Sequence, residues 1–194
     1  MNSLADVKSS EFESALTASA MKTLQTVQAA FMMGVLVFTA VIFITYGMHD
    51  DSADITDTTE IMNTLSIVHC AIAMGAYAAA RFVYEARFKP GQPMRGLQLE
   101  PRDASGNITA STPAQKCIAI IRSALILRFA LLQTAAFFGL VTCVAGVTSG
   151  VMASHPEYWA NLISGAVLVT FGLATFPNRE RVVRIFEERI RGAR

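Results

Sequence analysis

Residues 28–48 read QAAFMMGVLVFTAVIFITYGM, and residues 49–60 after them read HDDSADITDTTE. The first stretch carries no charged side chain. The second holds Asp50, Asp51, Asp54, Asp57 and Glu60 and no Lys or Arg. At ~1.5 Å per residue, a helix over 28–48 is roughly 32 Å long and crosses a hydrocarbon core of ~30 Å. Lipid offers no partner to open backbone groups, so a single segment crosses it only as a helix. An apolar run closed by an acidic connection predicts a membrane span whose far end lies on the side that Lys and Arg avoid.

Three more runs of this kind follow, at 61–83, 129–149 and 158–177. The connection 150–157 again has no Lys or Arg and carries only Glu157. All sixteen Lys and Arg of the chain fall elsewhere. Lys8 and Lys22 precede the first run. Arg81, Arg87, Lys89, Arg95, Arg102, Lys116, Arg122 and Arg128 lie around the middle connection. Arg179, Arg181, Arg184, Arg189, Arg191 and Arg194 form the tail. The expectation is an all-α integral membrane protein, a four-helix bundle of two transmembrane hairpins with both termini cytoplasmic. Tyr46, Tyr158 and Trp159 fall where the outer interface is expected and Tyr84 near the inner one, as in aromatic belts.

Bulk composition agrees with that reading. Hydrophobic residues make up 53% and charged residues 16% of the 194-residue chain, against roughly 25% charged in ordinary soluble domains. The net charge of +1 gives no basic excess toward nucleic acid. Cys70, Cys117 and Cys143 are an odd count without CxxC spacing, which argues against a disulfide framework or a zinc site. Residues 1–20 lack the cationic start of a signal peptide, so the first apolar run is expected to act as an uncleaved anchor.

Five segments are expected: an amphipathic lead-in over 1–27 (Phe12, Leu16, Leu24), a first hairpin over 28–84, a cytoplasmic loop over 85–115, a second hairpin over 116–177, and a basic amphipathic helix over 178–194. The helix of the third span is expected to begin early, near Pro113 behind Thr112, and to protrude from the membrane. Asn178 reads as the cap of the tail helix, with Val182, Val183, Phe186 and Ile190 along one side. Such a helix suits an anionic leaflet or a partner protein.

The hairpins resemble each other. Shifted by 105 residues, Gln28 meets Gln133 and Gly34 meets Gly139. Shifted by 98, Asn63 meets Asn161, Ser66 meets Ser164 and Arg81 meets Arg179. A tandem repeat is the expectation, its copies related about the membrane normal. Locally, residues 130–140 (ALLQTAAFFGL) resemble the ion-binding helix of rotary ATPase c subunits over that one helix. That family has a carboxylate where this chain has Gln133, and an amide carries no proton. The helix order and inferred orientation differ too, so the resemblance implies no proton translocation.

No Asp, Glu, Lys or Arg lies near the middle of a span, which counts against proton-coupled carriers and pumps. The intramembrane polar side chains include Gln28, Gln133, Asn63, Asn161, Ser66 and Ser164, with His69. They can bond helix to helix, or line a polar path. His69 has no second histidine at similar depth for a haem, and its spacing to Cys70 and Cys143 recommends no metal, so a buried, hydrogen-bonded histidine is expected. Two stripes of small residues, Ala71, Gly75 and Ala79 on span two and Gly139, Cys143, Gly146 and Gly150 on span three, suit close helix packing. At the inner interface Glu85 is expected to pair with Arg81 or Arg128.

No catalytic residue, metal site or cofactor is expected. The chain reads as a non-catalytic structural or accessory subunit of a bacterial inner membrane. Its partners are the bilayer, anionic headgroups at the cytoplasmic face, and itself or other membrane subunits. The alternative is an oligomeric channel or transporter lined by Gln28, Gln133, Asn63 and Asn161.

Overall fold

The structure, a computed structural model, describes residues 4–48, 56–88 and 112–192. The acidic connection at 49–55 and most of the expected cytoplasmic loop, 89–111, lie outside the described residues. Within them the chain is helical and forms no strand. A 3-10 turn, Leu4–Asp6, leads to α1 (Ser9–Ala15), α2 (Ala18–Met48), α3 (Thr56–Ala86), α4 (Pro113–Thr148) and α5 (Val151–Ser154). A 3-10 helix, Pro156–Leu162, then continues into α6 (Ile163–Ala174). The tail is α7 (Arg179–Ile185) ending in a π-helical turn, Phe186–Arg191.

Local chemistry sets these limits. Thr112 and Gln115 bracket the start of α4 reciprocally. The Thr112 hydroxyl accepts from the Gln115 amide nitrogen at 3.3 Å, and the Gln115 side chain accepts from Thr112 N–H at 3.2 Å. This capping box satisfies two donors that a helix start leaves open. Asn178 caps α7 in the expected way, accepting from Arg181 N–H at 2.8 Å. Gly150 takes φ 74°, a left-handed conformation that suits glycine, and ends α4.

Helices α2, α3 and α4 are each long and apolar enough to cross a membrane. With 31, 31 and 36 residues, each is at least roughly 46 Å long and exceeds a ~30 Å hydrocarbon core by several turns. The fourth expected span differs from the continuous helix over 158–177. The seven residues Pro156–Leu162 wind as a 3-10 helix, and the α-helix that follows stops at Ala174. Counted with the segment Arg179–Arg191 beyond the break, it brings the candidate spans to four. Pro177 lacks an amide hydrogen, which removes a donor the helix would need to continue. The 3-10 turn has a length consequence. At ~2.0 Å for seven residues and ~1.5 Å for twelve, Pro156–Ala174 still reaches roughly 32 Å.

The chain divides into two compact units, one of residues 28–80 and 129–175, the other of 1–27, 81–128 and 176–194. All sixteen Lys and Arg of the sequence belong to the second. The first is the apolar unit. Val35, Ile42, Met62, Leu140, Val147, Met152 and Leu168 form its core.

The charged unit has its own core of Phe12, Leu16, Leu24, Cys117, Ile121, Val182 and Phe186. Phe12 of α1 stacks on Phe186 of the tail with centroids 4.1 Å apart. Around that pair Ser9 donates to Glu187 at 3.0 Å, Arg191 donates to Ser9 at 2.7 Å, and Arg179 donates to the Glu13 carbonyl at 2.9 Å. The apolar side of the tail, expected to face lipid or a partner, is thus covered by residues of its own chain. In the same unit Arg81 pairs with Glu85 at 3.2 Å, and the Arg128 guanidinium lies 4.7 Å from the centre of the Tyr84 ring.

Candidate functional site

Asn63, Ser66, Tyr158, Asn161 and Ser164 of the apolar unit gather around His69. Asn63, Ser66 and His69 recur every three residues on α3 and present one face of the helix. Tyr158, Asn161 and Ser164 recur at the same interval where the 3-10 helix passes into α6. Both rows meet at a single cluster.

His69 Nδ1 lies 2.7 Å from Asn161 Oδ1, and His69 Nε2 lies 3.0 Å from Ser164 Oγ. The Asn161 amide donates to Ser66 Oγ at 3.0 Å and to the Tyr158 carbonyl at 2.9 Å. The Tyr158 hydroxyl donates to Asn63 Oδ1 at 2.9 Å. A carbonyl only accepts, so the Tyr158 carbonyl fixes which end of the Asn161 amide is nitrogen. Asn161 Oδ1 therefore faces His69, and the hydrogen of that bond sits on Nδ1. His69 Nε2 faces the Ser164 hydroxyl, which also has the carbonyls of Ala135 at 3.3 Å and Asn161 at 3.4 Å in reach as acceptors.

The cluster is buried and tightly packed. His69, Asn161 and Ser164 are at most 5% exposed. Gly139 on α4 closes over them. A Cβ there would collide with the Asn161 carbonyl oxygen and lie 2.7 Å from His69 Cε1. Only glycine allows the backbone of α4 to approach this closely. The ring of Phe138 lies over His69, with centroids 6.1 Å apart.

Ser164, His69 and Asn161 stand in the order nucleophile, base and orienting group, the relation used by serine hydrolases. Catalysis also requires a space about 3 Å from the nucleophile for a reacting atom. Here the backbone of α4 occupies the neighbourhood, and the Ser164 hydroxyl is enclosed by protein carbonyls. The arrangement suits cohesion between helices. Among the described residues no three His, Cys, Asp or Glu come together as a metal cluster.

The remaining predicted residues lie apart from this cluster. Gln28 is buried and donates to the Gly172 carbonyl at 2.7 Å. That carbonyl belongs to the last turn of α6, where intrahelical donors run out. Gln133, its counterpart in the repeat, lies in an apolar groove with its nitrogen 3.7 Å from where a Gly34 Cβ would stand. The small-residue stripes also diverge. Gly139, Cys143 and Gly146 are buried, with the Met62 and Met152 side chains against Gly146. Ala71 and Gly75 are exposed, Ala79 is half-buried, and a Cβ at Gly75 would meet nothing within 4 Å.

His69 is the buried, hydrogen-bonded histidine that the sequence predicts. Its partners, 92 and 95 residues away, are what the sequence does not name. Tyr158, read as an interface aromatic, is also a bonding centre of the cluster. The one available signal was the shared three-residue spacing. No protein-family model, curated protein or solved structure matches this chain.

Proposed function

We propose that this chain is a non-catalytic membrane protein, a small structural or accessory subunit that packs in a homo-oligomer or a larger membrane complex. Both termini and the segment 85–115 face the cytoplasm, and the membrane is a bacterial inner membrane. The absence of Lys and Arg from the two connections 49–60 and 150–157, and from the apolar unit as a whole, supports this topology. Anionic headgroups are the counterpart of the exposed Arg184, Arg189 and Arg191.

One observation carries the subunit reading. Helix α3 leaves Ala71 and Gly75 uncovered, flanked by the exposed side chains of Ile67, Met74 and Phe82. Small residues let a second helix approach closely and gain dispersion contacts that lipid chains make less well. Asn63, Ser66 and His69 of this helix are already bonded to Tyr158, Asn161 and Ser164, which leaves backbone shape as the main asset of this surface.

Gly75→Leu tests the reading. Nothing within the chain lies near a side chain at 75, so the fold tolerates the change, whereas an approaching helix would be pushed away. The expected result is an unchanged melting profile with a smaller native particle. An unchanged particle would remove α3 as the packing surface.

A further inference from the structure

Gln133 is the intramembrane amide whose side chain has no hydrogen-bond partner among the described residues. Gln28, Asn161, Ser66, Ser164 and His69 are all bonded, and Asn63 accepts from Tyr158. Gln133 instead lines an open groove of about 480 Å³ with Phe31, Phe137, Phe138 and Val141. That volume lies within the range of sites that hold small ligands. In hydrocarbon an unpaired amide is unfavourable, so an occupant that bonds it is favoured over one that does not.

The lining defines the occupant. It carries no charge, so the part of the ligand inside it is neutral. Its walls are hydrocarbon and aromatic rings, so the ligand is apolar along most of its length. The amide can donate one hydrogen bond to a carbonyl. Gln133 is four residues inside the apolar run 129–149, roughly 6 Å along the axis, close to where the core gives way to headgroups. Glycerophospholipids carry their ester carbonyls at that boundary, directly above an acyl chain.

We propose that the groove between Phe31 and Val141 binds one acyl chain of a diester phospholipid, whose ester carbonyl accepts a hydrogen bond from Gln133 Nε2. Gly34 stands beside the amide, where a Cβ would lie 3.7 Å from Gln133 Nε2. This is a specific lipid site on the apolar unit, apart from any contact of the tail with headgroups and from any partner on α3.

Native mass spectrometry of the full chain in mild detergent tests it, with a synthetic diester phosphatidylcholine and its dialkyl-ether analogue, which has the same chains and headgroup but no ester carbonyl. The expected result is one retained diester lipid per chain, the ether lipid retained about tenfold less, and Gln133→Leu retaining both equally. Equal retention of ester and ether lipids by the natural chain would overturn the proposal, and this comparison stands even if the variant fails to fold. A lipid-free dimer that Gln133→Leu dissolves would overturn it too, by assigning the amide to a second copy.

Discussion

His69 Nδ1 and Asn161 Oδ1 lie 2.7 Å apart, although 92 residues separate them in the chain. The bond ties the middle of α3 to the 3-10 segment ahead of α6. Asn161 is itself fixed by Ser66 and by the Tyr158 carbonyl, so the histidine is held by an acceptor that cannot turn away. In ¹⁵N-labelled protein His69 is expected to show a proton on Nδ1. An Nε2–H tautomer would mean that the Asn161 amide is reversed.

Removing either partner should destabilise the helix pair. His69→Leu and Asn161→Leu each leave buried polar atoms without partners, at about 1–3 kcal/mol. Their double-mutant cycle should return a coupling of roughly 0.6–1.7 kcal/mol, the range of hydrogen bonds between membrane helices. Reversible unfolding in mixed micelles measures it. Zero coupling would show that the contact contributes nothing to stability.

Gly139 and Gly75 should respond oppositely to the same change. Gly139→Ala places a methyl group against the Asn161 carbonyl and the His69 ring, and overpacking of this kind costs about 1–3 kcal/mol or more. Gly75→Ala meets nothing within 4 Å and gains up to ~1 kcal/mol of helix propensity. Parallel thermal melts of the two variants should separate in opposite directions from the natural chain.

These two glycines also mark what the sequence could and could not disclose. Both sit in stripes of small residues, and one-dimensional spacing treats them alike. Only the tertiary arrangement places Gly139 under a histidine and leaves Gly75 bare. Spans were legible because hydropathy and charge are properties of composition. The capping box at Thr112 and Gln115 and the Asn178 cap depend on neighbours within three residues, so local reading reaches them. Asn63, Ser66, Asn161 and Ser164 stood out by spacing, but their link through His69 and Tyr158 did not. The 3-10 stretch Pro156–Leu162 and the bond from Gln28 to the Gly172 carbonyl depend on distant backbone, which no local pattern encodes.

The stacked pair Phe12 and Phe186 should govern the tail. Phe12→Ala removes a fully buried ring and its partner's stacking face, worth about 3–5 kcal/mol in a core. The expected readout is faster tryptic cleavage at Arg181 and Arg184, with helicity of the membrane spans retained. Uniform loss of helicity instead would mean that the charged unit is needed for the spans to fold.

The surface pair of Arg81 and Glu85 should matter little. Both side chains are largely exposed, at 82% and 45%, and exposed pairs contribute at most about 1 kcal/mol. Glu85→Gln should leave folded yield unchanged and shift the melting temperature by no more than a few degrees in a thermal melt.

The subunit reading is tested most directly by the mass of the native particle, extracted gently from membranes and weighed by native mass spectrometry. A particle containing further copies of the 21.0 kDa chain, or a stoichiometric partner, is the predicted result, and it should fall to a single chain with Gly75→Leu. A stable particle of one chain and lipid alone, the same for both proteins, would contradict it.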